Sequence, residues 1–318
     1  MQEGRDLTAG TDGRLPSLTG AGATIAAASR NPRRVAWVML TVMVVIAWLY
    51  LVVLSTAIGL GGTFGAMGPG MAGLDRLFAW AGLDGVAFPL LAANPWLARL
   101  AAVCTSGATD WTVATFALHA TMWLAMGIAM MLPTATPMLR TYAEIADTAA
   151  ARGRHAVSPV VLALGYLTVW SAFAILATGL QWGLNYVGAL SPKGAVATAG
   201  FAIAILVAAG VYQLTNRKAA CLVKCSNPFP FLFANWTERT SGVFRLGLRE
   251  GLNCLTCCWA LMLVMFAVGT MNIVWIAVLT VVMTIEKLVG ALWFSRSIGV
   301  VLLVWAAVAT ATLSLAGL

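Results

Sequence analysis

Sulfur gathers around one region of this 318-residue sequence. The stretch GLNCLTCCWALMLVMF, residues 251–266, puts Cys254, Cys257 and Cys258 at the mouth of an apolar run, with Met262 and Met265 further in. Upstream, KAACLVKCSNPFPF carries Cys221 and Cys225, so five of the six cysteines flank one loop. On a helix Cys254 and Cys258 share a side and Cys257 lies close by, so thiolates from two segments can converge. Three chemistries stay open: a metal site, a redox thiol pair, and plain packing of Cys as a small hydrophobe. The C-x-x-x-C and C-x-x-C-C spacings match no standard zinc finger. Thiolates suit both zinc and monovalent copper. Thioether sulfur favours copper(I), and Met262, one turn beyond Cys258, extends a soft stripe with Met265.

A second soft face lies in HATMWLAMGIAMMLP. His119, Met122, Met126 and Met130 recur at intervals of 3, 4 and 4 and fall on one side of a helix. An imidazole with thioethers can hold or relay a soft monovalent ion, although methionine also fills irregular gaps in helix packing. A histidine within a span must be paired or face a polar cavity. Glu286, with Lys287 beside it, sits near the end of another apolar run. Ionisable residues at membrane depth cost about 2.5–3.5 kcal/mol each. Glu286 is read as the partner of a neighbouring helix, with a ligand or proton-accepting role as the alternative. Lys287 can snorkel to the headgroups. The candidate metal ligands are thus Cys221, Cys225, Cys254, Cys257, Cys258, Met262, Met265, His119, Met126, Met130 and Glu286.

The elements that must position these groups are apolar helices. The chain is 61% hydrophobic and 9% charged, too little charge to cover a soluble domain of this length. The expected fold is all-α, a polytopic transmembrane bundle of about seven spans. They are expected near 35–58, 111–132, 160–182, 195–214, 252–268, 273–289 and 298–316. The first is read as a retained signal anchor. Residues 1–34 read as a disordered tail ahead of a helical domain, 35–318. Residues 59–110 are Gly-rich and then mixed, with short surface helices expected in DRLFAWAGL and PWLARLAAVC. Pro133 and Pro137 break the second span, and a tight turn at 269–272 joins the fifth to the sixth. Asn253 and Asn272 are expected to cap helices or bond between them. Trp123, Trp259, Trp275 and Trp293 are expected to pack or to anchor at the interface.

The net charge of +8 is read as topology rather than nucleic-acid binding. Arginines in the tail, basic loops at 140–157 and 215–250, and Lys287 with Arg296 alternate with segments poor in Lys and Arg. That pattern places the N-terminus in the cytoplasm and the C-terminus outside. Both cysteine groups then share the cytoplasmic face, where structural disulfides are uncommon. The sequon Asn235-Trp236-Thr237 falls on that same side and is discounted. No phosphate-binding glycine loop, Ser–His–Asp set, H-E-x-x-H or internal repeat is present, and His155 reads as a solvated loop residue.

Three blocks, MWLAMGIAMMLPTATPMLRTYAEIA, KAACLVKCSNPFPFL and GLREGLNCLTCCWALMLVMFAVGTMNIVWIAVLTVVMTIEKL, resemble a bacterial family of predicted metal-binding integral membrane proteins. The resemblance covers roughly residues 35–300. Its pattern falls on Met126, Met130, Met131, Pro133 and Pro137, on Cys221 and Cys225, and on Cys254, Cys257, Cys258, Trp259, Met262, Gly269, Met271, Asn272, Glu286 and Lys287. It implies a metal-linked role in the bacterial inner membrane, with copper handling or a copper chaperone as the expected activity. Taken together, the residues point to a protein that receives, holds or delivers Cu(I) within a lipid bilayer. A soluble metal donor or acceptor, or a membrane-complex subunit, is the expected partner. A membrane thiol–disulfide oxidoreductase and a zinc-stapled assembly subunit are the alternatives, and whether the chain is an enzyme stays open, leaning against.

Overall fold

The computed structural model describes residues 32–59, 111–190 and 198–315, with Gly73, Arg76 and Trp80 between the first two stretches. The expected tail up to residue 31 and most of the segment 60–110 lie outside the described residues. All described elements are helices: α1 Pro32–Gly59, α2 Val113–Thr134, α3 Thr136–Ala151, α4 Pro159–Tyr186, α5 Ala199–Gln213, α6 Asn216–Ser226, α7 Phe229–Ala234, α8 Thr240–Val268, α9 Ile273–Val289 and α10 Leu292–Leu315. The apolar runs form helices at the expected places, with most ends shifted by a few residues and the start of α8 by more.

Five of them, α1, α2, α4, α8 and α10, are long and apolar enough to cross a membrane. A sixth crossing results if α5 and α6, bent by 65° at their junction, count as one. The remaining expected span, α9, has 17 residues, short of the roughly 20 that cross a bilayer core. Val38, Val42, Ile46 and Leu49 of α1 and Val300, Val304 and Val308 of α10 turn outward, as lipid-facing side chains do.

The stretch 215–250, expected as a basic loop, is mostly helical. Thr215 starts α6 by accepting a bond from the Lys218 amide at 3.2 Å, and α8 begins at Thr240 rather than near 252. Most of the charges misled because they lie on the outer side of each helix, Lys218 and Glu250 being the buried exceptions. Arg245 and Arg249 are exposed, while Val243, Leu246, Glu250 and Cys254 form a buried stripe. Likewise 140–157 is not a loop throughout, since α3 runs to Ala151. Asn253 lies inside α8 and caps nothing. Asn272 does cap α9, accepting from the Trp275 amide at 3.2 Å. The preceding Gly269 has φ 101°, a conformation that lets the chain reverse there.

α8 is the centre of the bundle. It packs against α4, α5, α6 and α9, while α2 packs against α1, α4 and α9. The α4–α8 crossing is close because glycines face each other. A Cβ on Gly247 would collide with the Leu162 carbonyl, and one on Gly165 with the Phe244 carbonyl. Gly251, one turn on, sits against Val169. Small residues at such a crossing let two backbones touch, which is how helices gain packing energy where lipid removes the hydrophobic drive.

Pro133 lies in the last turn of α2, and α3 starts afresh after Ala135 with Pro137 in its first turn, as the sequence suggested. Tyr142 of α3 donates to the Val157 carbonyl at 3.0 Å, and burial holds its phenol above the usual tyrosine range. Trp123 of α2 donates from its indole nitrogen to Gln181 Oε1 of α4 at 2.8 Å, a buried bond between helices. Gln181→Ala orphans that indole N–H and is expected to cost about 1–3 kcal/mol. Thermal unfolding in detergent measures it, with unchanged stability the contrary result.

Candidate metal centre

The ends of α2, α5 and α9, the whole of α6 and the middle of α8 meet on one side of the bundle. Cys254, Cys257 and Cys258 lie on α8, all three buried. Cys221 and Cys225 lie on the half-buried face of α6. Cys257 interacts through its side chain with Cys225 of the other helix and with Cys258, and Cys258 interacts with Cys254. Cys221 lies at the edge, within electrostatic reach of Cys225 and Cys258. The two sequence groups of thiols therefore do come together. The contacts are pairwise. Among the described residues, no group of three or more His, Cys, Asp or Glu side chains is arranged to hold a metal ion, so a closed four-ligand zinc site is not preformed.

Two lysines occupy the cluster. Lys218 of α6 is fully buried, and its Nζ donates to Glu286 Oε2 at 2.7 Å, to the Cys257 carbonyl at 2.9 Å and to Cys257 Sγ at 3.4 Å. Glu286 is buried with it and also accepts from Gln213 Nε2 at 3.4 Å. The carboxylate is thus the partner of a neighbouring helix, as expected, and that partner is Lys218. Sequence reading missed Lys218 because it stands in a run of basic residues. The available signal was its spacing, since Lys218, Cys221 or Leu222, and Cys225 fall on one helical face.

Lys287 does not snorkel. It is 4% exposed, and its Nζ donates to Cys254 Sγ at 2.8 Å and to Thr134 Oγ1 at 2.8 Å. α9 ends in a left-handed cap, with the Gly290 amide bonded to the Glu286 carbonyl, and its last turn buries Glu286 and Lys287 while exposing Leu288 and Val289. Tyr166 of α4 completes the surround, donating to the Met131 carbonyl at 3.1 Å and touching Cys254 Sγ at 2.9 Å. Glu250, also buried, lies one turn before Cys254 on α8.

A family model described as PpoB2, copper chaperone, matches residues 120–309, more than half of the chain. The chain belongs to this copper-chaperone family. No curated protein and no solved structure matches it. The matched span contains every candidate ligand named from the sequence except His119, which lies one residue before it.

The methionines of this copper-chaperone family member are buried in the same core as the thiols. Met126, Met130, Met262 and Met265 are sealed from solvent. Their depth follows from two contacts. Trp123 of α2 packs on Phe266 of α8 with ring centroids 5.3 Å apart, while Thr134 at the far end of α2 reaches Cys254 through Lys287. The two helices are therefore antiparallel and in step over about 16–18 Å at 1.5 Å per residue. Met130 then lies near the level of Cys257 and Cys258, and Met126 near the level of Met262. His119 is far from the thiols, about 22 Å from Thr134 along the same helix. Its Nδ1 bonds to the Thr115 carbonyl at 2.8 Å and its ring packs on Trp111, so it is both paired and stacked.

The other tryptophans singled out from the sequence divide between packing and exposure. Trp275 stacks on Trp305, Trp259 packs edge-on against Tyr212, and Trp293 is largely exposed at the start of α10.

Proposed function

We propose that this chain is a membrane-embedded copper chaperone that takes up Cu(I) at the thiol cluster and hands it on by ligand exchange. Cys225, Cys254, Cys257 and Cys258 form the capture site, with Cys221 at its entrance. Met130 and Met126 on α2 and Met262 and Met265 on α8 continue the soft path into the bundle, and His119 lies at its far end. The reading also holds the chain to be an inner-membrane protein with α9 as a seventh crossing, the N-terminus in the cytoplasm, and a soluble protein as the metal donor.

The observation that supports this most is the meeting of Cys225 on α6 with Cys257 on α8, because no sequence rule requires it. Thiolates suit both zinc and monovalent copper, and Cu(I) binds well with only two sulfur donors. A site of paired thiols suits it better than it suits a four-coordinate ion. Exchange between successive sulfur pairs lets the ion move without ever being released to water.

Anaerobic purification in detergent, metal analysis and thiol titration on one sample test the reading. We expect about one tightly held Cu(I), resistant to a chromophoric Cu(I) chelator, and its loss in C225S and in C254S. A fully loaded C225S/C254S double variant would refute the capture site. Stoichiometric zinc instead of copper, or no metal with a reducible Cys254–Cys257 pair, would move the assignment to a zinc staple or to a thiol oxidoreductase.

A further inference from the structure

The two buried lysines are not equivalent. Lys218 is neutralised by a carboxylate at 2.7 Å, and neither side chain of that pair has any exposure. Among the described residues, Lys287 has no carboxylate within contact. Its ammonium touches one hydroxyl, Thr134, and one sulfur, Cys254. The other ionisable groups facing it are the Tyr166 phenol, the Cys225 and Cys258 thiols and, at longer range, Glu250. A buried ammonium held by neutral groups is costly unless an anion completes its surroundings. Of the two groups in contact with Nζ, Thr134 and Cys254, the sulfur is the one that becomes anionic when it binds a metal.

Resting on the copper reading above, we propose that Lys287 is the built-in counter-ion of a two-thiolate Cu(I) complex that includes Cys254. When Cu(I) binds two thiols, two S–H bonds break, two Cu–S bonds form, two protons leave, and copper stays monovalent. The product carries a single negative charge. One fixed cation, already hydrogen-bonded to one of the two sulfurs, matches it. Lys218 is not free for this task because Glu286 already balances it. Thr134, in the last turn of α2, aims the ammonium. Lys287 is thus a positioning and charge-matching residue and binds no metal itself.

The arrangement also assigns Glu250 a definite effect. It is the carboxylate nearest in sequence to Cys254, it interacts with Lys287, and it opposes a new negative charge at the sulfur. Removing its charge should tighten copper binding rather than weaken it.

Competition with a chromophoric Cu(I) chelator under anaerobic conditions tests this on the full chain in detergent. K287M deletes the charge and should weaken Cu(I) binding about 100-fold, the scale of an uncompensated buried charge. K287R keeps the charge and should stay within about tenfold of the parent. E250Q should bind at least as tightly as the parent. K287M at parental affinity, or K287R as weak as K287M, would overturn the proposal. Should K287M fail to fold, K287Q deletes the charge while keeping a polar atom for Thr134, and the same comparison applies. C254S in parallel separates the two layers of argument. If C254S binds Cu(I) as tightly as the parent, the copper site itself is misplaced. If C254S loses copper and K287M does not, only the counter-ion assignment fails.

Discussion

Glu286→Ala is expected to destabilise the protein by about 3–5 kcal/mol, because it strands the Lys218 ammonium in the interior without its partner. The pair is sealed on every side. Both side chains have zero exposure, and Lys218 is held further by the Cys257 carbonyl. Taking two charges out of water is expensive, so the pair stands only while both members are present. Replacing both at once is a different experiment. K218M/E286L fills the same volume with apolar atoms and should recover most of the loss, since buried ion pairs exchanged for well-packed apolar groups are often close to neutral in stability. Denaturant or thermal unfolding in a mild detergent reads both variants. A Glu286→Ala protein of parental stability would mean that Lys218 reaches solvent or another anion, and the description of the site would have to change. The double variant should also alter Cys257, whose sulfur lies 3.4 Å from the lysine. Its thiol is expected to react differently with a maleimide even where stability returns.

Gly247→Val is the second large effect. The two helices that carry Tyr166 and Cys254 touch at backbone distance, and a side chain at 247 meets the Leu162 carbonyl before any flexible atom can yield. Overpacking a rigid contact costs typically about 1–3 kcal/mol, and more where backbone must move. We expect about 3 kcal/mol or more here, since the obstacle is backbone on both sides. The functional consequence comes from where the strain falls. Gly165 precedes Tyr166, so separating the helices draws the phenol away from Cys254 and opens the thiol cluster. Faster maleimide labelling of Cys254 together with weakened copper retention is the expected pair of results. Normal stability in Gly247→Val would show that the crossing can spread without cost. Gly165→Val acts on the same contact from the other helix and should behave alike.

These effects show which parts of the molecule were legible in advance. The apolar runs located the helices because a bilayer-length segment has no other way to satisfy its backbone. The proline break after α2 and the Asn272 cap of α9 were readable for similarly local reasons, since each depends only on neighbouring residues. The charges around 215–250 and 140–157 were misread as loops. Charge marks the outside of an amphipathic helix as readily as it marks a loop, and only the buried stripe of Val243, Leu246, Glu250 and Cys254 tells the two apart. Gly247 and Gly251, four apart, are a small-residue pair of the kind that marks a close helix crossing, a signal the sequence held that went unused.

Sequence by itself determined that this chain is a set of apolar helices carrying soft donors on particular faces, because side-chain periodicity along a helix is a local property. It could also place Cys254 beside Cys258 and string Met122, Met126 and Met130 along one side. Only the tertiary structure decided that α6 and α8 bring Cys225 to Cys257, that Lys218 takes Glu286, and that Lys287 is left with a sulfur. Those choices depend on which helices touch and how closely, down to the missing Cβ atoms at Gly165 and Gly247. In a buried region, where every charge needs a partner, such contacts decide which lysine is neutralised and which is left for the thiols.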